Sequence, residues 1–257
     1  MNEQNETKYR TPDGLPVDIC IFTIISEPKR TKNKYLPHKD LKILLIKRKN
    51  EPFETYWAIP GGFSRENETL AESAYRELKE ETNVDKNHVH IEQLKTYYYP
   101  GRDPRGWMPS VAFAALVKEE FLMNIKADTD AAEVGLFNVD EALQMKLAFD
   151  HNVILEDALD AIREKMLTTN IAKKFLPPEF TINELYQIII SVVPDFDVEK
   201  TNFIKKIVAT KSREGLLKEA VDVNGNSKYS DKYSQRKAKL YTFTGQYPRL
   251  SIYNSMQ

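Results

Sequence analysis

A glycine turn followed by a capped, glutamate-rich helix constrains the fold of this chain more than any other segment. Gly61-Gly62 marks a turn after an apolar approach. Thr69 and Glu72 have the spacing of a capping box, which predicts a helix that begins at about Leu70. Asn83 is suited to end that helix, because asparagine tolerates the left-handed backbone of a C-terminal cap. The segment is therefore expected to fold as a turn that leads into one helix.

Three glutamates share one face of this predicted helix. Glu77, Glu80 and Glu81 stand at i, i+3 and i+4, so their carboxylates repel one another by roughly a few tenths of a kcal/mol per pair. A divalent cation with oxygen ligands would offset that repulsion, and Mg²⁺ with substrate phosphates is the usual occupant. Taken alone, the three glutamates are more typical of a solvated acidic face. The core side of the helix is predicted to comprise Ala71, Ala74, Tyr75, Leu78 and Thr82.

The surrounding residues favour the metal interpretation, because their spacing resembles the Nudix box of the MutT/Nudix hydrolases. Gly62 is followed after five residues by Glu68 and, after seven more, by Arg76-Glu77-Leu78. Glu80-Glu81 and Asn83-Val84 complete the pattern. The family usually has Gly where Asn83 stands, and both residues serve as left-handed caps. The approach to the turn, Trp57–Phe63, is also similar to the strand and loop of that family.

The resemblance implies a hydrolase that uses Mg²⁺, or alternatively Mn²⁺, and cleaves a diphosphate by attack of water on phosphorus. The orienting role of the family's arginine fits Arg76, which has Glu72 and Glu80 four residues to either side. The box does not fix the general base. By this match the metal ligands are Glu77, Glu80 and Glu81, the supporting acid is Glu68, the phosphate loop is Gly61 and Gly62, and Asp130 and Glu133 are base candidates by position alone.

Two further stretches are similar to Nudix proteins that recognise ADP-ribose. One is the run Arg102-Asp103-Pro104-Arg105-Gly106, and the other is Leu147–His151. The resemblance implies ADP-ribose or a similar nucleoside diphosphate derivative as the ligand of Arg102, Asp103 and Arg105. Arginines suit such a ligand because they make bidentate contacts to phosphate oxygens. Asp150 is expected to cap a helix that begins near His151. Tyr97, Tyr98, Tyr99 and Trp107 offer faces for stacking adenine and are equally typical of a core.

Apolar periodicity places these motifs in an α/β domain. The combination of strands, an inserted helix and outer helices predicts an α/β/α sandwich with a mixed sheet over residues 1–169, after a polar, flexible start at 1–10. The predicted strands are Val17–Ile25, Leu41–Arg48, His88–Tyr98 and Val111–Val117, and the later helices are Val139–Met145 and His151–Leu167.

A second, smaller domain with its own core is predicted over residues 170–257. Thr181 and Glu184 form a capping box for a helix that runs to about Val193, and Asp197 is expected to cap a second helix from Val198 to about Thr210. Leu216–Val223 and Lys239–Phe243 then read as two strands. This order predicts a winged helix-turn-helix, similar to the C-terminal domain of bacterial Nudix-related regulators of NAD metabolism.

Charge supports a nucleic-acid partner for the second domain. Residues 170–257 contain 14 Lys/Arg and 9 Asp/Glu, whereas the rest of the chain has a net charge of −6. Such asymmetry suggests contact with a polyanion, here double-stranded DNA, and the alternative is a docking or dimerisation domain. The resemblance also implies a homodimer. The predicted DNA contacts are Lys200, Asn202, Lys205 and Lys206 on the second helix, with Arg236, Lys237 and Lys239 on the wing.

Two functions remain open at this point. One is a Mg²⁺-dependent ADP-ribose hydrolase fused to a DNA-binding domain. The other is a repressor that senses ADP-ribose, or a sugar phosphate, without cleaving it. The box is often degraded in such regulators and is intact here, which favours hydrolysis. A single cysteine, Cys20, and the lack of a long apolar run predict a cytoplasmic protein without a membrane segment.

Overall fold

The computed structural model describes residues 15–27, 36–122, 131–208, 215–233 and 236–245. Its strands are β1 Pro16–Ser26, β2 Lys39–Arg48, β3 Trp57–Ala58, β4 Gly61–Phe63, β5 Val89–Tyr97, β6 Ser110–Val117, β7 Ala131–Asn138, β8 Phe180–Thr181, β9 Leu217–Glu219, β10 Tyr229–Ser230 and β11 Ala238–Phe243. Its α-helices are α1 Leu70–Thr82, α2 Glu119–Leu122, α3 Val139–Gln144, α4 His151–Thr168, α5 Ile182–Val192 and α6 Lys200–Ile207.

The first seven strands form one mixed sheet in the order β3-β2-β1-β6-β5, with β4 on β1 and β7 on β2. Strand β1 runs antiparallel to β2 and parallel to β6. Successive side chains of a strand point to opposite faces of its sheet. Ile19 and Ile21 therefore join a core with α1, while Cys20 and Phe22 join a core with α4. Helices cover both faces, which confirms the predicted α/β/α sandwich.

The second half of the described chain forms two helices and a small antiparallel sheet. Strand β11 pairs with β8, β9 and β10, and α5 and α6 pack beside this sheet. Its core is not separate, however. The cluster that contains Cys20 and Phe22 continues through Ile162 of α4 to Ile188 of α5 and Phe203 of α6. The expectation of two independent cores is wrong, because α4 packs against both halves.

Both predicted capping boxes are present, and two other expected caps are not. The Thr69 and Thr181 hydroxyls each accept a hydrogen bond from the backbone three residues on. The Asp150 side chain caps nothing and binds an arginine instead. Helix α6 is capped by Glu199 and begins at Lys200, so the prediction that Asp197 caps a helix from Val198 is wrong.

The core side of α1 also differs from the prediction. Ala74 and Leu78 are buried as expected, whereas Ala71 is exposed and Tyr75 is half-buried. The inward side includes Ser73, Glu77 and Glu81 in their place. Compared with the predicted orientation, α1 is rotated about its axis, so that Glu77 and Glu81 are buried. The periodicity of apolar residues could not reveal this rotation. Residues 1–10, Asp130 and 209–210 lie outside the described residues.

Among the residues that the structure describes, no helix is both long enough and apolar enough to cross a membrane.

Candidate functional site

A cleft of about 550 Å³ opens between β1, β2, β4, α1 and the segment that precedes α4. Its size lies within the range of small-molecule sites, roughly 300–1,000 Å³. The sequence-predicted site residues converge here although their segments are far apart in the chain. Those that line the cleft are Gly61, Gly62, Arg76, Glu77, Glu80, Glu81, Arg102, Asp103 and Arg105.

The two glycines bring the chain closer to its neighbours than any other residue could. A Cβ atom on Gly61 would overlap the carbonyl oxygen of Val17, and one on Gly62 would overlap the carboxylate of Glu77. Glu77 and Glu81 are buried in the wall that α1 contributes, while Glu80 is exposed. Burial raises the pKa of Glu77 despite the opposing effect of a nearby arginine. The backbone of β4 thus lies directly against a buried carboxylate.

Arg76 holds this acidic wall together. Its Nε and Nη2 atoms donate to the Glu68 carboxylate at 2.7 and 3.0 Å, and its Nη1 donates to Glu77 at 2.6 Å and to Glu80 at 3.3 Å. Hydrogen bonds from Arg76 lower the pKa of Glu68 to about 2. Glu72 binds the Thr69 backbone and is not a partner of Arg76. Arg76 thus links the carboxylates of Glu68, Glu77 and Glu80.

The donor set of this wall fits Mg²⁺ or Mn²⁺. Within the described ranges, no three acidic, imidazole or thiol groups form a ready-made metal cluster. Mg²⁺ does not require one, because it is usually held by one or two carboxylates together with water and substrate phosphates. Glu77, Glu80 and Glu81 line the same cleft, and the Glu77 carboxylate occupies the space that a side chain at Gly62 would fill. These residues are the ones that would hold the cation.

A buried network forms the opposite end of the cleft. Arg102 donates to both oxygens of Asp150, at 2.9 and 2.7 Å, and to the Met108 carbonyl at 3.0 Å. Asp18 lies 3.5 Å from the same guanidinium and accepts a 2.6 Å hydrogen bond from the Ser110 hydroxyl. Only 5% of the Arg102 side chain is exposed. Its guanidinium lies at the cleft wall but is already paired with Asp150.

His151 connects this network to the glycine turn. Its Nδ1 accepts a hydrogen bond from the Ile59 backbone N–H at 2.9 Å, and its Nε2 lies 3.5 Å from an Asp18 oxygen. The acceptor role of Nδ1 places the proton on Nε2. Burial lowers the pKa of His151, although Asp18 and Asp150 act in the opposite direction. The imidazole therefore fixes the start of α4 against the segment between β3 and β4.

Three residues were not predicted from the sequence: Asp18 and Ser110 of this network, and Arg48 of the cleft. Asp18 had a visible signal, since it is a carboxylate inside the apolar run of β1, and such residues are rarely buried without a partner. Ser110, at the start of β6, and Arg48, at the end of β2, had no such signal in the sequence. Arg48 and Arg105 both lie near the ring of Phe149, with guanidinium carbons 4.9 and 5.6 Å from its centroid.

Other predicted residues lie elsewhere. Glu133 is exposed, lies 3.5 Å from Lys47 and does not line the cleft. Tyr97 is buried and donates to Asp157, whereas the three other aromatic candidates are exposed.

The predicted DNA contacts differ in exposure. Lys206 is half-buried, and Lys239 pairs with Glu219 at 2.7 Å. The exposed ones are Lys200, Asn202, Lys205, Arg236 and Lys237.

The chain is similar to known proteins both in its first half and along nearly its whole length. Residues 35–158 match the NUDIX domain family. The ADPR-responsive transcriptional repressor NtrR of Acinetobacter baylyi is 33% identical over 98% of this chain and 92% of its own length. An ADP-ribose pyrophosphatase of Methanocaldococcus jannaschii is 43% identical over 46% of this chain and 66% of its own length.

Solved structures extend the likeness to both halves. NrtR of Shewanella oneidensis is 27% identical, and its crystal structure has a TM-score of 0.70 over 92% of this chain and 99% of that one. Its complex with a 27mer DNA has a TM-score of 0.63 over 90% of this chain and 93% of that one. The chain belongs to the Nudix family, in the group of transcriptional regulators that join a Nudix domain to a DNA-binding domain.

Proposed function

We propose that this protein is a DNA-binding transcriptional regulator whose Nudix domain binds ADP-ribose. The similarity to a repressor along 98% of the chain is the observation that carries this proposal, because both halves are shared and not the Nudix domain alone. The basic residues Lys200 and Lys205 are exposed on α6, the second helix of the pair, where phosphate contacts are expected. A homodimer would present two such helices to a site with two-fold symmetry.

The cleft suits a nucleoside diphosphate derivative. One wall carries the carboxylates of α1, which can hold a cation bound to the phosphates. Arg48 and Arg105 lie on other elements of the same cleft and can contact phosphate oxygens directly. The paired Arg102 and Asp150 support the segment that carries Arg105, so the proposed role of Arg102 is to shape the site.

Hydrolysis of the same ligand is a second proposed activity, favoured by the intact carboxylate wall. The products of ADP-ribose cleavage are AMP and ribose 5-phosphate, since water adds across one P–O–P linkage and its oxygen stays on phosphorus. A bound Mg²⁺ would neutralise diphosphate charge and activate water. The chain itself contributes buried Glu77 and Glu81, the guanidinium of Arg76 that orients Glu77, and two glycines whose backbone lines the cleft.

Regulation is tested by measuring DNA affinity with and without ligand. A selection from random or genomic duplexes should recover a two-fold symmetric sequence, and its affinity should fall steeply with salt because bound phosphates release counterions. ADP-ribose is expected to change DNA affinity by about 5- to 150-fold, and DNA must change ADP-ribose affinity by the same factor. Salt-insensitive binding with no preferred sequence would instead support a docking role for the second domain.

A variant that reverses two charges on α6 tests the proposed DNA contacts. Replacing both Lys205 and Lys206 by Glu should weaken DNA binding by about 10- to 100-fold at physiological salt and lower the salt slope by about 2, one per lost phosphate contact. ADP-ribose affinity, measured by calorimetry on the same preparation, should remain within about twofold since neither lysine lines the cleft. An unchanged salt slope would show that these lysines do not contact phosphate.

A further inference from the structure

Helix α4 begins at the wall of the cleft and is fixed there from two directions. The Arg102 guanidinium donates to both oxygens of Asp150, the residue just before the helix, at 2.9 and 2.7 Å. The His151 imidazole accepts the Ile59 backbone N–H at 2.9 Å. Arg102 and His151 both line the cleft, so a ligand there lies against the groups that hold the start of α4.

The same helix reaches the second half of the chain without interruption. None of its 18 residues is Gly or Pro, the usual causes of a kink. Arg163 follows His151 by three turns, which corresponds to about 18 Å along the helix axis. The buried Leu159 and Ile162 belong to the same apolar cluster as Ile188 of α5. A tilt at the start of α4 would therefore be carried to α5.

Arg163 links α4 to the end of α5. Its Nε donates to the Val192 carbonyl at 3.3 Å. Val192 is the last residue of α5, and the last carbonyls of a helix have no partner within it. The negative end of the helix dipole also favours a cation at this position. Since residues 193–199 then lead to α6, Arg163 holds the point at which the chain turns toward the helix that is proposed to contact DNA.

A cavity of about 340 Å³ lies beside this contact. It is bounded by the starts of β2 and α3, by α4 and by the end of α5, and Arg163, Ser191 and Val192 line it. The described residues are thus not close-packed on this side of α5, whereas protein interiors usually are. Shifts of about 1–2 Å between packed helices are a common switching motion, and the cavity gives the end of α5 room for one.

We infer that α4 transmits occupancy of the cleft to the DNA-binding half, and that Arg163 is the positioning residue through which it holds the end of α5. This inference rests on the proposed function and concerns how that function is regulated. Arg163 does not line the cleft. Its effect should therefore appear in the coupling between ADP-ribose and DNA, and not in the binding of ADP-ribose alone.

Fluorescence anisotropy on the full chain, in a chelator that prevents turnover, tests this role. DNA affinity for the selected duplex is measured with and without saturating ADP-ribose, and the ratio of the two affinities is the coupling factor. Arg163→Met keeps the apolar stem, removes the guanidinium, and should bring that factor closer to 1 by about 3- to 30-fold. ADP-ribose affinity in the absence of DNA should stay within about twofold.

Two further variants and a control sharpen the test. Arg163→Lys keeps a cation at the end of α5 and should restore part of the coupling factor. Ser191→Leu adds an apolar side chain to the wall of the cavity, so it restricts the shift of α5 and should also lower the factor. Glu164→Gln changes the next residue of α4, which is exposed and lines neither cavity nor cleft, and should leave the factor unchanged.

The outcomes separate this inference from the function on which it rests. If ADP-ribose does not change the DNA affinity of the wild type, the proposed regulation fails and the inference fails with it. If the wild type is regulated and Arg163→Met keeps the full coupling factor, the role of Arg163 is overturned while the regulation stands. An equal loss of DNA affinity with and without ADP-ribose would also overturn it, since Arg163 would then only stabilise the helices. Should Arg163→Met fail to fold, Arg163→Lys and Ser191→Leu give the same comparison.

Discussion

Glu81→Gln is expected to lower kcat for Mg²⁺-dependent hydrolysis of ADP-ribose by about 100- to 1,000-fold, the scale of losing one preorganised electrostatic group. Glu81 is buried on the α1 wall and lines the cleft. The amide has nearly the same shape as the carboxylate but no charge with which to hold a cation. Initial rates of AMP formation at saturating Mg²⁺ measure the effect.

A control for this variant lies on the same helix. Glu72→Gln changes a glutamate that caps α1 and does not line the cleft, so its rate should stay within about twofold of wild type. ADP-ribose affinity in a chelator should be retained by both variants. Equal turnover by wild type and Glu81→Gln would contradict the assigned role of Glu81. No turnover by the wild type with any nucleoside diphosphate derivative would leave a sensor without hydrolase activity.

Arg102→Ala should lower the free energy of unfolding by about 3–5 kcal/mol, as expected when one member of a buried ion pair is removed. The substitution leaves the Asp150 and Asp18 carboxylates without their shared guanidinium, and their side chains are only 14% and 12% exposed. It also removes the hydrogen bond to the Met108 carbonyl. Urea unfolding, followed by circular dichroism, measures the loss.

Arg105→Ala is the matched comparison. Arg105 pairs with Asp103, whose side chain is only 2% exposed, so Arg105→Ala should also lower the free energy of unfolding. The loss should be smaller than for Arg102→Ala, because the Arg105 side chain is 42% exposed and the backbone N–H at position 105 still donates to Asp103. A double-mutant cycle with Asp150→Asn should recover part of the loss at Arg102, since the two residues are in contact. A loss below about 1 kcal/mol for Arg102→Ala, as in a surface pair, would show that the network does not support the cleft.

Local sequence signals predicted the helix of the site accurately. The capping box at Thr69 and Glu72 and the left-handed cap at Asn83, with φ 57°, are both present, because these interactions join residues close in the chain. The spacing of Glu77, Glu80 and Glu81 likewise predicted that they lie on one side of the helix, where they line the cleft. The rotation of α1 was not predictable from apolar periodicity, since buried Glu77 and Glu81 occupy positions where an apolar residue is expected.

Contacts between distant segments account for what was missed. Asp18 and Ser110 meet because β1 and β6 pair in parallel, and no local pattern specifies that pairing. Asp150 has the sequence position of a helix cap, but its carboxylate accepts hydrogen bonds from the buried guanidinium of Arg102, 48 residues earlier in the chain. Arg48 lines the cleft because β2 pairs with β1, and no local pattern specifies that pairing either.

The apolar core that passes through α4 should give the two halves a common unfolding equilibrium. Residues packed into one continuous cluster tend to open together as a cooperative unit. A ligand at 100 times its dissociation constant stabilises the folded state by about 2.7 kcal/mol. Backbone amides of α5, which lie in the other half of that cluster, should therefore exchange with deuterium more slowly when ADP-ribose occupies the cleft. Occupancy of the Nudix domain would thus also prolong the proteolytic lifetime of the helices that are proposed to contact DNA.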